Sequence, residues 1–212
     1  MSDTHHGESS GKLVVGTFLT LDGVMQAPGS PDEDRDAGFK HGGWMYNYSD
    51  EQMGEIVIDQ FAAADALLLG RKTYEIFASY WPYFEPADDP LATALNSMPK
   101  YVASRTLDAV DWHNSTLLSG TVAEAVEELK NERGDVIMTQ GSANLIQTLL
   151  SNDLIDEFRL WIFPLVLGEG KRLFGNGTIP AALELTNVEM SSTGVQILRY
   201  RRAGEIEYGN VG

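Results

Sequence analysis

The sequence predicts an α/β fold: a mostly parallel sheet with flanking helices and an antiparallel C-terminal edge. Two observations carry this. Up to about residue 151, short apolar runs alternate with stretches of helical periodicity, as βα units require. Beyond that point strand patterns follow one another over 158–166, 182–190 and 195–201, the last two joined by the turn signal Ser191-Ser192-Thr193-Gly194.

Taken in order, residues 1–11 are polar and aperiodic and read as a disordered tail, residues 12–203 as one domain, and 204–212 as a C-terminal tail. His5-His6 is too small a cluster for a metal site. Residues 13–19 read as the first strand. The Gly/Pro/Asp-rich loop that follows, 20–48, is too long for a plain connector and points to function. Ser49 and Gln52 match a capping box for a helix reaching about Ala64, with Met53, Ile56, Val57 and Phe61 as its apolar stripe. Ala66-Leu67-Leu68-Leu69 is a buried strand that ends at Gly70, and Arg71, Lys72 and Thr73 open a helix to about Ser79. Residues 80–90 are aromatic, acidic and interrupted by proline. Residues 101–103, ending at Ser104-Arg105, and 116–118 are short strands. Thr121 and Glu124 form a second capping box, for a helix over 121–133. The strand 136–138 leads through Gln140-Gly141-Ser142 into a helix over 143–151.

Composition narrows the function by exclusion. Among 212 residues, thirty-one acids outweigh fifteen bases, of which six are lysine, and the net charge is −16. Nucleic acid and anionic membrane surfaces are repelled by such a chain. The bias resembles that of salt-adapted proteins, and an ordinary acidic enzyme is the alternative. The absence of cysteine excludes disulfides and thiolate metal sites. No apolar run is long enough to span a bilayer and no signal-peptide core is visible, so the expectation is a cytoplasmic protein. Gly170-Lys171 lacks the rest of a Walker loop, no serine sits in a nucleophile elbow, and the four histidines assemble no convincing metal site.

The positive chemical signal lies at two strand ends. A strand that stops at glycine and feeds a helix N-terminus exposes backbone N–H groups suited to phosphate. Gly70-Arg71-Lys72-Thr73 and Gln140-Gly141-Ser142 both have this form, and two such ends in an open sheet make a dinucleotide crevice. With Arg71 and Arg105 available and no acid at either strand end, NADPH fits better than NADH, because the guanidinium fork binds phosphate oxygens in pairs.

Thr20-Leu21-Asp22-Gly23, Leu67-Leu68-Leu69-Gly70-Arg71-Lys72-Thr73-Tyr74, Ser104-Arg105 and Gln140-Gly141-Ser142 together resemble the dihydrofolate reductase fold. Leu154-Ile155-Asp156-Glu157-Phe158 and Pro164-Leu165-Val166-Leu167-Gly168-Glu169-Gly170 are similar to the related reductase domain of riboflavin biosynthesis. The likeness spans nearly all of 12–202. It implies that Gly70, Arg71 and Thr73, beside Lys72, hold the 2′-phosphate and a further cofactor phosphate, with Ser104 and Arg105 against the same 2′-phosphate. It implies that Gly141, Ser142, Ala143 and Asn144 hold the pyrophosphate, and that Thr17 and Phe18 meet the nicotinamide beneath a mobile loop at 22–25. Two departures stand out. The position of the folate enzymes' catalytic acid is Gly54, with Glu55 its nearest acidic neighbour, which counts against folate reduction. The first glycine of the family's double glycine is Gln140, whose side chain either fills space or bonds the cofactor.

Each assignment has a plainer alternative. Arg71 and Arg105 are either cofactor ligands or surface cations paired with acids. Asp22 is either catalytic or the cap of its own turn. Trp44, in His41-Gly42-Gly43-Trp44, either stacks on substrate or tucks the loop onto the core. The resulting expectation is an NADPH-dependent reductase of a small heterocyclic or carbonyl-containing molecule, with Asp22, Trp44 and Glu55 as the candidate catalytic residues. A nucleotide- or small-molecule-binding protein without turnover is the alternative. A homodimer is expected, because Trp161, Phe163 and Trp81-Pro82-Tyr83-Phe84 look like exposed aromatic surface beside an antiparallel edge built from 158–166 and 195–201.

Overall fold

The computed structural model describes residues 10–84, 89–133, 135–176 and 178–210. Eight strands form a single sheet: β1 (Lys12–Thr20), β2 (Ala66–Gly70), β3 (Lys100–Ala103), β4 (Ser115–Leu117), β5 (Val136–Gln140), β6 (Glu157–Phe163), β7 (Leu183–Met190) and β8 (Gln196–Arg202), in the spatial order β4-β3-β2-β5-β1-β6-β8-β7. From β4 to β6 every pairing is parallel, and β8 and β7 complete the sheet antiparallel. The helices are α1 (Glu51–Ala62), α2 (Arg71–Ala78), α3 (Pro90–Ser97), α4 (Val122–Arg133) and α5 (Ala143–Ser151). Among the described residues no helix is long and apolar enough to cross a membrane.

Both faces of the parallel region are covered, so its strands read as unbroken apolar runs. In β2, Leu68 packs in one cluster with Leu13, Val15, Ile137, Ile146 and Leu149. Its neighbours Leu67 and Leu69 point the other way, to Phe61, Tyr74, Leu95 and Met138. The period of two along a strand thus feeds two cores from one apolar run.

Four features differ from expectation. First, α3 lies in a region without helical expectation; Asp89 caps it, its carboxylate accepting from Leu91 N at 2.8 Å and Ala92 N at 3.2 Å. Second, Asp50 rather than Ser49 caps α1, accepting from Met53 N at 2.8 Å. Third, Trp161 and Phe163 are core residues, 1% and 0% exposed, packed with Met53, Val195 and Ile197. Fourth, β6 and β8 are interior strands and β7 is the open edge, exposing Leu185, Val188 and Met190. Tyr83 and Tyr80 are exposed, while Trp81 packs half-buried against Phe77. The Ser191–Gly194 turn forms as expected, with Gly194 at φ 86° and Ser191 N bonded to Val195 O at 2.9 Å. The 1–11 tail expectation, including His5-His6, lies largely outside the described residues, as do residues 85–88 of the 80–90 segment.

One polar residue anchors the β3 side of the core. Lys100 is 0% exposed, and its ammonium donates to Leu95 O and Met98 O at 2.8 Å and to Asn96 O at 3.3 Å, so it caps the C-terminal end of α3. It also sits 4.3 Å from the centroid of the Trp112 ring. Burial lowers its pKa to about 8. Lys100→Met leaves three carbonyls without a donor, and is expected to destabilise the protein by about 2–4 kcal/mol, measured by denaturant unfolding.

Candidate functional site

The C-terminal ends of β1, β2, β3 and β5 open into one cleft of 1640 Å³. Two helices begin there directly from strands: Gly70 of β2 is followed by α2, and Gly141-Ser142 link β5 to α5. Neither helix has a side-chain N-cap. By contrast α1 and α3 are capped by aspartates, and Thr121 Oγ1 accepts from Glu124 N at the start of α4. The first-turn residues of the uncapped helices, Arg71, Lys72, Thr73, Ala143 and Asn144, all line the cleft. Their N–H groups are the orphan donors that such a terminus leaves for a ligand.

A reciprocal pair of hydrogen bonds holds the two turns together. Ser142 N donates to Thr73 Oγ1 and Gly70 N donates to Ser142 Oγ, each at 3.0 Å. This places Gly141 and Ser142 in the left-handed region, at φ 61° and 60°. Thr73 accepts in this pair and keeps its own hydroxyl hydrogen to donate elsewhere. Gln140 extends its carboxamide over Gly16, where an added Cβ would lie 2.4 Å from Gln140 Oε1, so the side chain fills the space above β1.

All thirteen positions assigned to the cofactor line this cleft: Thr17, Phe18, Gly70, Arg71, Lys72, Thr73, Ser104, Arg105, Gln140, Gly141, Ser142, Ala143 and Asn144. Their cations differ in availability. Arg71 is engaged by Glu75 at 2.9 and 3.0 Å, an exposed pair one helical turn apart. Lys72 reaches Asp34 at 2.8 Å and Asp36 at 2.5 Å. Arg105 has no carboxylate partner among the described residues.

The three positions considered catalytic do not line the cleft. The Asp22 carboxylate accepts from Thr20 Oγ1 at 2.6 Å, Gly168 N at 2.8 Å and Leu167 N at 3.2 Å, and it pairs with Arg172 at 3.2 Å. The Thr20 hydroxyl first, then the two backbone donors, hold its pKa far below the usual carboxylate range, so it ties two loops together as a permanent anion. Trp44 Nε1 donates to Gln26 O at 2.8 Å and its ring meets Phe163 edge-on at 5.2 Å, which tucks the loop onto the core. Glu55 is exposed on α1. Beside it, Gly54 lines the cleft, and a Cβ there would meet nothing within 4 Å.

Three cleft residues of weight were not evident beforehand. Gln26 is 4% exposed and organises the long loop: its amide donates to Asp34 O and Asp36 O, and its Oε1 accepts from Lys171 N. Lys171 bonds Asp34 and Asp36, each at 2.6 Å. Burial works to raise Asp34, but Lys171 and Lys72 outweigh it and the group is lowered; the same lysines, Lys171 foremost, pull Asp36 to about 2. Glu33 lines the cleft with Oε2 held by Gly29 N at 2.6 Å and Ser30 N at 3.2 Å, and burial raises its pKa despite these donors. The sequence signal was the over-long Gly/Pro/Asp-rich loop 20–48, which pointed to function without singling out a residue, and Lys171 lies outside it.

The sheet order, the antiparallel edge and a cleft at parallel strand ends define a dihydrofolate-reductase-like fold. The chain belongs to the RibD C-terminal domain family, which matches residues 11–197. It is 32% identical over 195 residues to the uncharacterized protein YyaP of Bacillus subtilis (strain 168), covering 91% of this chain and 96% of YyaP. It is 31% identical over 145 residues to the uncharacterized protein YwjB of the same organism, covering 68% and 78%. Among solved structures, a candidate riboflavin biosynthesis protein from Shewanella sp. PV-4 aligns with a TM-score of 0.67 at 22% identity, covering 90% of this chain and 98% of that one. A Thermotoga maritima diaminohydroxyphosphoribosylaminopyrimidine deaminase/5-amino-6-(5-phosphoribosylamino)uracil reductase aligns at 0.60 and 14%, covering 92% and 57%. These structural likenesses establish a reductase-like fold.

Because the folded pKa of Asp22 is depressed, its contribution to stability is complete above the ordinary carboxylate range and drains away as the pH falls below it. Asp22→Asn is expected to cost about 1–2 kcal/mol near neutrality and to flatten the loss of stability on acidification, as measured by unfolding across a pH series.

Proposed function

We propose that this protein is a cytoplasmic NADPH-dependent reductase that delivers a hydride to a small heterocyclic or carbonyl-containing molecule. The observation that carries the reading is the pair of uncapped helix N-termini converging on one cleft, in a chain that caps its other helices with side chains. Those N–H groups fit a pyrophosphate, and Arg71 and Arg105 fit the 2′-phosphate. The two ends of the cleft suit a dinucleotide in extent: from β3, which leads to Arg105, to β1, which carries Thr17 and Phe18, there are three interstrand spacings, roughly 14 Å.

Reduced nicotinamide supplies the hydride when bound. The chain's own part is to hold the acceptor against the Phe18 end of the cleft, exclude water with Met45, Met53 and Val57, and provide a proton for the acceptor's heteroatom. Glu33 lines the cleft with Oε2 held by Gly29 N and Ser30 N, which leaves Oε1 as the carboxyl oxygen able to exchange that proton. Asp22 and Trp44 act by positioning the loops around Thr20 and Gln26. The second reading, a binding protein without turnover, draws on the placement of Asp22, Trp44 and Glu55 away from the cleft lining.

Arg105→Ala and Arg71→Ala are each expected to weaken NADPH binding by roughly tenfold to a hundredfold while leaving NADH nearly unchanged, as read by fluorescence titration. Equal losses for both cofactors would remove the 2′-phosphate assignment.

We further propose a homodimer formed through the open β7 edge, where Leu185, Val188 and Met190 are exposed. Two chains of charge −16 repel one another, so association is expected to tighten with added salt. Sedimentation at low and high salt checks this; a monomer at both overturns it.

A further inference from the structure

One polar side chain beside β1 faces the cleft with both its donor and its acceptor unused. Gln140 closes β5, where its Cα pairs with that of Gly16 on β1, and Gly141 N donates to Gly16 O at 3.2 Å. Paired residues stand on one face of a sheet, and so do residues two apart on a strand. Gln140, Gly16 and Phe18 therefore share a face, the one on which Phe18 packs with Met53, Ile56 and Val57 of α1. The absent side chain of Gly16 makes room there. A Cβ at that position would lie 2.4 Å from Gln140 Oε1, so the carboxamide reaches across β1, two residues before Phe18.

Gln140 lines the cleft, and its carboxamide has no hydrogen-bond partner among the described residues. Other polar side chains of the lining are engaged. Thr17 Oγ1 donates to Phe18 O at 3.3 Å, and Ser142 Oγ accepts from Gly70 N. The Gln26 amide is used at both ends, by Asp34 O and Asp36 O and by Lys171 N. A carboxamide offers N–H donors beside a carbonyl acceptor, and a second amide satisfies both in one plane. A phosphate would take the donor alone and set an anion against the carbonyl oxygen, and an alkyl group would take neither.

We infer that Gln140 binds and orients a planar amide edge of the ligand, its Oε1 accepting that amide's N–H and its Nε2 donating to that amide's carbonyl. On the reductase reading, on which this rests and which sets the nicotinamide at Phe18, the amide is the nicotinamide carboxamide. A lactam in the acceptor ring presents the same edge. Paired in this way, the nicotinamide ring is restrained from turning about its glycosidic bond and offers one face to the acceptor.

Calorimetry on wild-type protein, Gln140→Met and Gln140→Glu tests this with two pairs of probes. The first is NADP⁺ and its 3-acetylpyridine analogue, which keeps the carbonyl and lacks the amide N–H. The second is 4-quinazolinone and its 3-methyl derivative, which lacks the lactam N–H. The wild type should favour NADP⁺ over the analogue by about tenfold, the scale of one or two neutral hydrogen bonds. Gln140→Met keeps the volume above Gly16 and should bring that ratio near one. Gln140→Glu keeps an acceptor without a donor, so it should retain the ratio and bind both members more weakly. A purely structural change weakens both members alike and leaves the ratio where it was. The same pattern confined to the quinazolinone pair assigns the amide to the substrate. If NADP⁺ does not bind at all, the reductase reading falls and the second pair decides alone. The inference is overturned if the wild type shows no preference in either pair, if the preference survives in Gln140→Met, or if Gln140→Glu binds both members as well as the wild type does.

Discussion

Ser142 sits in a left-handed conformation that costs an L-residue about 1–2 kcal/mol, and two hydrogen bonds hold it there. Its N–H reaches Thr73 Oγ1 and its Oγ receives Gly70 N, so the end of β2, the start of α2 and the beginning of α5 are tied together through this one residue. Much follows from this contact. The hydroxyl that would ordinarily cap α5 is turned toward β2, so the first-turn donors of α5 stay unbonded. The two turns lie side by side: a Cβ at residue 70 would meet Leu145 Cβ at 3.4 Å and Ser142 Cβ at 3.5 Å, ordinary packing distances.

What the linear sequence reveals tracks how local each cause is. The helix over 143–151 and the start of the helix at Arg71 are where they were expected, since each is set by an apolar strand, a glycine and a periodic stretch in direct succession. The cap of α1 moves by one residue because Ser49 and Asp50 are both competent and only the fold chooses. Helix α3, which has eight residues like α2, has no strand and glycine before it to announce it. Its cap Asp89 and first residue Pro90 close a stretch that reads as aromatic and acidic, and it is completed from outside by Lys100. Trp161 and Phe163 look like surface because aromatics near a predicted edge suggest one. In the fold β6 is central, with Phe158 and Leu160 serving one cluster and Trp161 and Phe163 another.

The cleft charges show the same limit more sharply. Lys72 beside Arg71 in an acidic chain looks like a free phosphate ligand. Its partner Asp34 is 38 residues away, and Lys171 comes to the same carboxylate from 137 residues away. No spacing rule connects such positions. Gln26, which aligns them, is a single amide in a loop, and its importance comes entirely from burial. That these residues gather at strand ends lining one cleft was therefore readable, whereas the state of each charge was not.

The place of β1 in the sheet also bears on how the chain comes into being. This strand carries Leu13, Val14 and Val15, all buried, and pairs on one side with β5, from Val136, and on the other with β6, from Glu157. On a ribosome adding about 5–20 residues per second, β1 must wait roughly 10 s before either neighbour has emerged. During that interval its backbone and apolar side chains are unpartnered, the condition under which nascent chains aggregate or recruit chaperones.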